Sequence, residues 1–104
     1  MFEDLVLKFA GFDWDDGNLS KCEKHGVTRA SIEWALEGEI TLFDDPYDSD
    51  IEKRFRAIGK DESGRHVFIV LSISHSGNKR LIRPISARYM HKKEIESYER
   101  QNET

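Results

Sequence analysis

One cysteine, two prolines and no apolar run near the roughly 20 residues needed to cross a bilayer occur in these 104 residues. The lone thiol, Cys22, excludes an internal disulfide and fits a reducing cytoplasm. Its place in a helical pattern marks it as a small buried residue, with no neighbour that would activate it. The opening residues Met1-Phe2-Glu3-Asp4-Leu5 carry acids where a secretory signal carries positive charge, so a cytoplasmic protein is expected. His66, His75 and His91 are scattered, with no pair at ligand spacing and no second cysteine, so no metal and no cofactor are expected. No glycine-rich phosphate loop, nucleophile elbow or zinc helix motif occurs. The acidic stretch 44–50 lacks the glycine and terminal glutamate of a calcium loop and reads as a solvated turn. Repeats, linkers and low-complexity segments are missing too, which leaves one domain over residues 1–104.

An excess of positive charge is also lacking. The formal net charge of −4 argues against a protein that simply coats nucleic acid. Its distribution is uneven, however. Residues 1–50 hold 4 Lys+Arg against 13 Asp+Glu, and residues 51–104 hold 12 against 7. An acidic half beside a basic half points to a localised cationic surface.

The 38% hydrophobic content suffices for one modest core. Phe12-Asp13-Trp14 reads as a short strand, after which Asp15 or Asp16 caps a helix running to about Lys24. Lys24-His25-Gly26 closes that helix, with Gly26 in the left-handed position and cations at the negative helix end. Thr28 caps a second helix with Ile32, Ala35 and Leu36 on one face, stopped by Gly38. Trp34 falls off that stripe and reads as packing under a strand or against a partner. A strand at Ile40-Thr41-Leu42-Phe43 leads into the acidic loop. Three further strands follow at about 52–60, 65–74 and 78–87, joined by short turns at 60–64 and 74–78. Val67-Phe68-Ile69-Val70-Leu71 is apolar at every position, which predicts a central strand. A last helix over about 91–102 puts Ile95 and Tyr98 on one side. The class is α+β: two N-terminal helices, an antiparallel twisted sheet of three or four strands, and a C-terminal helix, with the helices on one face.

Candidate chemistry gathers in the basic half. Glu52, Arg54 and Arg56 alternate, so all three side chains share one strand face while Phe55 and Ala57 turn inward. Such a set is either an acid/base group within a phosphate clamp or an ion pair worth less than about 1 kcal/mol on a wet surface. Arginines fixed on a strand suit phosphate because the guanidinium fork donates two parallel hydrogen bonds. Arg83 and Arg88 differ by an odd number and fall on opposite faces of a regular strand. Only a bulge, or the strand's end, brings them together, and Pro84 makes an irregularity or an edge position plausible. Ser86 shares a face with Arg88. His25 either caps a helix or acts as general acid or base, a role contributing about 10²- to 10⁴-fold.

Assembled, these residues resemble the BrnT family of bacterial toxins from type II toxin–antitoxin systems. The resemblance runs from Phe12 to about Glu99. It is carried by Phe12-Asp13-Trp14-Asp15, Asn18, Lys24-His25-Gly26-Val27, Asp44-Asp45-Pro46 and Glu52-Lys53-Arg54, then by Ile58-Gly59, Gly64-Arg65, Ile85-Ser86-Ala87-Arg88, Lys92-Lys93-Glu94 and Tyr98-Glu99. It implies a RelE-like ribonuclease fold and metal-free RNA cleavage that slows translation and growth. It also implies neutralisation by a BrnA-like antitoxin, through which alone the complex, as an oligomer, would meet operator DNA. By motif position, Arg54 and Arg88 would hold phosphate, with Arg56 and Arg83 beside them. His25 or Glu52 would exchange protons, Lys24 would add field, and Ser86 and Tyr98 would position substrate. The competing reading is a non-catalytic binding module of the same fold within a DNA-binding regulatory complex. Residues 1–11 precede the resemblance, and their apolar Leu5, Val6, Leu7 and Phe9 fit an extra edge strand or a partner contact.

Overall fold

A computed structural model describes residues 9–45 and 53–101. Helix α1 (Asp16–Glu23) and helix α2 (Arg29–Glu37) precede strands β1 (Thr41–Asp44), β2 (Arg54–Lys60), β3 (His66–Ser76) and β4 (Lys79–Tyr89), and helix α3 (Lys92–Gln101) ends the described chain. The strands form one antiparallel sheet in the order β1-β2-β3-β4, so β3 is interior, as its unbroken apolar run predicts. No described helix is long and apolar enough to cross a membrane.

Local chemistry sets the helix ends. The Asp15 carboxylate accepts from the Asn18 N–H at 3.0 Å while the Asn18 side-chain Oδ1 accepts from the Asp15 N–H at 2.7 Å, a reciprocal capping box. Thr28 Oγ1 accepts from the Ser31 N–H and starts α2. Gly26, at φ +90°, makes the reversal between the helices that a Cβ would oppose. Both helices cover the same side of the sheet. Cys22, Val27, Ile32, Ala35 and Leu36 pack there on Ala57, Val67, Ile69, Leu71, Ile82 and Ala87. Burial pushes the Cys22 thiol up to about 11, so it stays protonated at neutral pH.

Residues 10–13 lie along the outer edge of β4. The Ala10 N–H donates to Arg80 O, the Ile82 N–H to Gly11 O and the Asp13 N–H to Ile82 O, with a parallel bridge between Phe12 and Ile82. Asn18 locks this segment down: its buried amide donates to Asp13 O at 2.9 Å and to Pro84 O at 2.8 Å.

In two respects the structure differs from the expectation. The helices do not share one face. α1 and α2 form one layer, whereas α3 lies against the opposite side, where Tyr98 Oη meets Thr41 Oγ1 at 2.6 Å and Glu94 meets Arg88. An amphipathic pattern gives a helix an inner side but not the sheet face it meets. Trp34 is 58% exposed, which removes packing under a strand and leaves only the alternative of a partner contact.

Candidate RNA-binding face

Antiparallel partners project to the same side of a sheet, so the register assigns the side chains to faces. Three cross-strand rows line the face opposite α1 and α2. Arg54, Ser72 and Arg83 form the first; Phe43, Arg56, Val70 and Ser86 the second; Thr41, Ile58, Phe68 and Arg88 the third. The β3–β4 register slips between Val70, opposite Ser86, and Leu71, opposite Pro84, leaving Ile85 as the extra residue of a bulge. That one residue turns the odd spacing of Arg83 and Arg88 into an even one, and both guanidiniums reach one face. Pro84 is buried at the slip and has no N–H to offer the ladder.

Acids and an aromatic ring hold the cations in place. The Arg88 fork meets Glu94 end-on, Nη1 to Oε1 and Nη2 to Oε2, each at 2.8 Å. An end-on pair engages one N–H of each terminal nitrogen and leaves the other three donors of the guanidinium outside the fork. Arg56 Nη2 lies 3.4 Å from the buried Asp45 carboxylate. Phe68 sits beneath both cations, its ring centroid 4.8 Å from the Arg88 Cζ and 5.7 Å from that of Arg56. Arg83 is turned toward the N-terminal segment, 2.9 Å from Asp15 and 3.4 Å from Asp13. The Asn18 N–H and then Arg83 hold the Asp15 carboxyl below its ordinary range. Asp13 also accepts from Ser74 Oγ at 2.7 Å.

The other candidates are placed as follows. Ser86 is half-buried in the row of Arg56. Tyr98 is half-buried against Thr41, with its ring edge-on to His66 at 6.1 Å. Lys24 and His25 are exposed in the turn between α1 and α2, within the helical layer, while the arginines project from the far side of the sheet. Glu52 lies outside the described residues, as does most of the acidic loop. Sequence reasoning missed Asp45, Phe68 and the role of Glu94. A polar residue's pairing across strands leaves no local pattern, and Phe68 hid within an apolar run.

Glu94 has two tasks. Its Oε1 also accepts the His91 N–H at 2.9 Å, closing the first turn of α3. Bonds from Arg88 foremost, then from His91, lower its carboxyl from 4.5 to about 2. A carboxyl lowered on folding stabilises above its unfolded value and loses that contribution as pH falls through the folded one. The stability difference between the wild type and Glu94→Gln is therefore expected to be full at pH 7 and to vanish between about pH 4.5 and pH 2. Urea titrations of both proteins across that range measure it, and a difference independent of pH would refute the assignment.

What this face can do chemically follows from its parts. Fixed guanidiniums on neighbouring strands stabilise a phosphate, and still more a phosphorus centre gaining negative charge. No curated protein gives a significant match to the chain. The family model for the ribonuclease toxin BrnT of type II toxin–antitoxin systems matches residues 14–94, within the stretch that carries the resemblance.

Proposed function

Because the chain belongs to the BrnT family of ribonuclease toxins of type II toxin–antitoxin systems, we propose that it cleaves RNA without a metal and thereby inhibits translation and growth. The supporting observation is the set of arginines that the bulge and the strand alternation bring to one sheet face. In this reading the ribose 2′-oxygen attacks the adjacent phosphorus and the bond to the 5′-oxygen breaks. The 2′-hydroxyl proton goes to a base, and the departing oxygen takes a proton from an acid. The intermediate phosphorane carries extra negative charge, which preorganised cations meet without a reorganisation cost.

Arg54 and Arg88 hold the phosphate from the two sides of β3, with Arg56 between them in sequence order of the rows. Ser86, in the Arg56 row, and Tyr98 position the ribose. Arg83 contributes field while anchoring Asp13 and Asp15. Glu52, two residues before Arg54 in the sequence, takes the proton role; His25, the other candidate, stands with Lys24 in the helical layer, away from the arginine face. A BrnA-like antitoxin neutralises the toxin and carries the complex, as an oligomer, to operator DNA. The acidic half of the chain suits contact with a basic partner.

The test incubates purified protein with naked RNA in EDTA and maps the new ends. Expected are fragments with 5′-hydroxyl ends, produced at an undiminished rate in chelator. Intact RNA in the presence of folded protein would sink the free-ribonuclease reading in favour of a ribosome-dependent toxin or a non-catalytic module.

A further inference from the structure

Between the arginine face and α3 runs a groove of about 670 Å³. Its floor is Phe43, Ile58 and Phe68, and Arg56 stands at its edge. This volume lies within the range of small-ligand sites. Two features keep it open. β1 is an edge strand of four residues, and Phe43 on it remains 38% exposed although it shares a row with Arg56. The side of α3 that lines the groove carries Glu94, Ser97, Tyr98 and Gln101, a helical face at spacings of three and four. A helix docked for burial would be apolar there. This one has no buried residue and puts the Ser97 hydroxyl and the Gln101 amide over an aromatic floor, while the Glu94 carboxylate is held by Arg88 and the His91 N–H.

We infer that this groove is a nucleobase subsite, in which one base of bound RNA stacks on Phe43 and meets the polar edge of α3 while its phosphate stays with Arg56 and Arg88. The inference rests on the RNA-cleaving reading for its substrate class. A nucleobase combines the required properties: a flat apolar face, an edge of donors and acceptors, and a phosphate one sugar away. Lys93 adds a second cation at the groove wall. An apolar peptide side chain would leave Ser97 and Gln101 without a partner, and those groups are costly to cover without hydrogen bonds. Stacking on an aromatic residue tolerates any base, so the edge contacts from α3 carry whatever selectivity the site has.

The test measures binding rather than cleavage. A labelled 2′-O-methyl oligonucleotide, which has no free 2′-hydroxyl to attack, is titrated by fluorescence anisotropy. A matching series carries one abasic residue moved stepwise along the strand. Phe43→Ala is expected to weaken the complete oligonucleotide roughly 5- to 100-fold. One abasic position should weaken wild-type binding to a similar degree, and at that position Phe43→Ala should have no further effect. Phe43→Trp should restore binding. Equal losses on complete and abasic strands, or no loss on either, would overturn the inference. Base-dependent binding with no RNA cleavage would defeat only the nuclease reading. Cleavage with binding indifferent to Phe43 would defeat only the subsite. Circular dichroism confirms that the variants fold.

Discussion

Arg88→Ala is expected to lower RNA cleavage about 10²- to 10³-fold while the protein stays folded, the loss typical of removing one preorganised group from a developing anion. Arg88 stands on β4, in the row of Ile58 and Phe68, and its position is set by the sheet rather than by a loop. Arg88→Lys keeps the charge but loses the planar fork, so it should recover only part of the activity. The variant also deprives α3 of the Glu94 pair, and that effect needs its own control. Glu94→Gln breaks the ion pair and leaves the cation in place. If activity is lost through α3, the two substitutions should be equally damaging. If the guanidinium itself acts on phosphate, Glu94→Gln should retain most of the rate. Initial rates on one RNA, with fragment ends mapped, separate these outcomes.

Asn18→Ala is expected to act on stability instead, by about 3 kcal/mol. The side chain is 5% exposed and makes three bonds: it accepts from the Asp15 N–H and donates to Asp13 O and Pro84 O. Alanine removes half of the capping box and leaves the buried Pro84 carbonyl without that donor, an omission costing about 1–3 kcal/mol on its own. In a domain of this size the melting temperature should fall by roughly 10–20 °C. Asn18→Asp keeps an acceptor for the Asp15 N–H but turns a carboxylate oxygen on the Asp13 and Pro84 carbonyls, so it should be no more stable than the alanine variant. Thermal unfolding monitored by circular dichroism, beside the exposed control Glu96→Ala, measures the effect. A shift no larger than the control's would show that Asn18 does not join the N-terminal segment to β4.

The two residues also illustrate what the chain discloses in advance. The order of elements is legible because its signals are local: Asp15 and Thr28 at caps, Gly26 and Gly38 at stops, and an unbroken apolar run for β3. Arg54 and Arg56 are equally legible, since alternation within one strand needs no knowledge of its neighbours. Arg83 and Arg88 are legible only as a condition, because the register between two strands decides whether Ile85 is accommodated as a bulge. Three facts escape altogether: the buried Asp45 beside Arg56, the placement of Lys24 and His25 in the layer away from the arginines, and the side of the sheet on which α3 lies. Each depends on contacts between residues far apart in the chain, where composition and period carry no signal.

Ile85 gives β4 a parity. Ahead of it Ile82 and Pro84 are buried on the helical side, and beyond it Ala87 and Tyr89 take that side. An exchange of side chain at position 85 preserves this phase. A deletion there does not: it would rotate one half of the strand by half a turn, sending either an arginine into the apolar layer or core residues into water. The segment is therefore tolerant of chemistry and intolerant of length, and only a second, compensating insertion in the same strand could restore its reading.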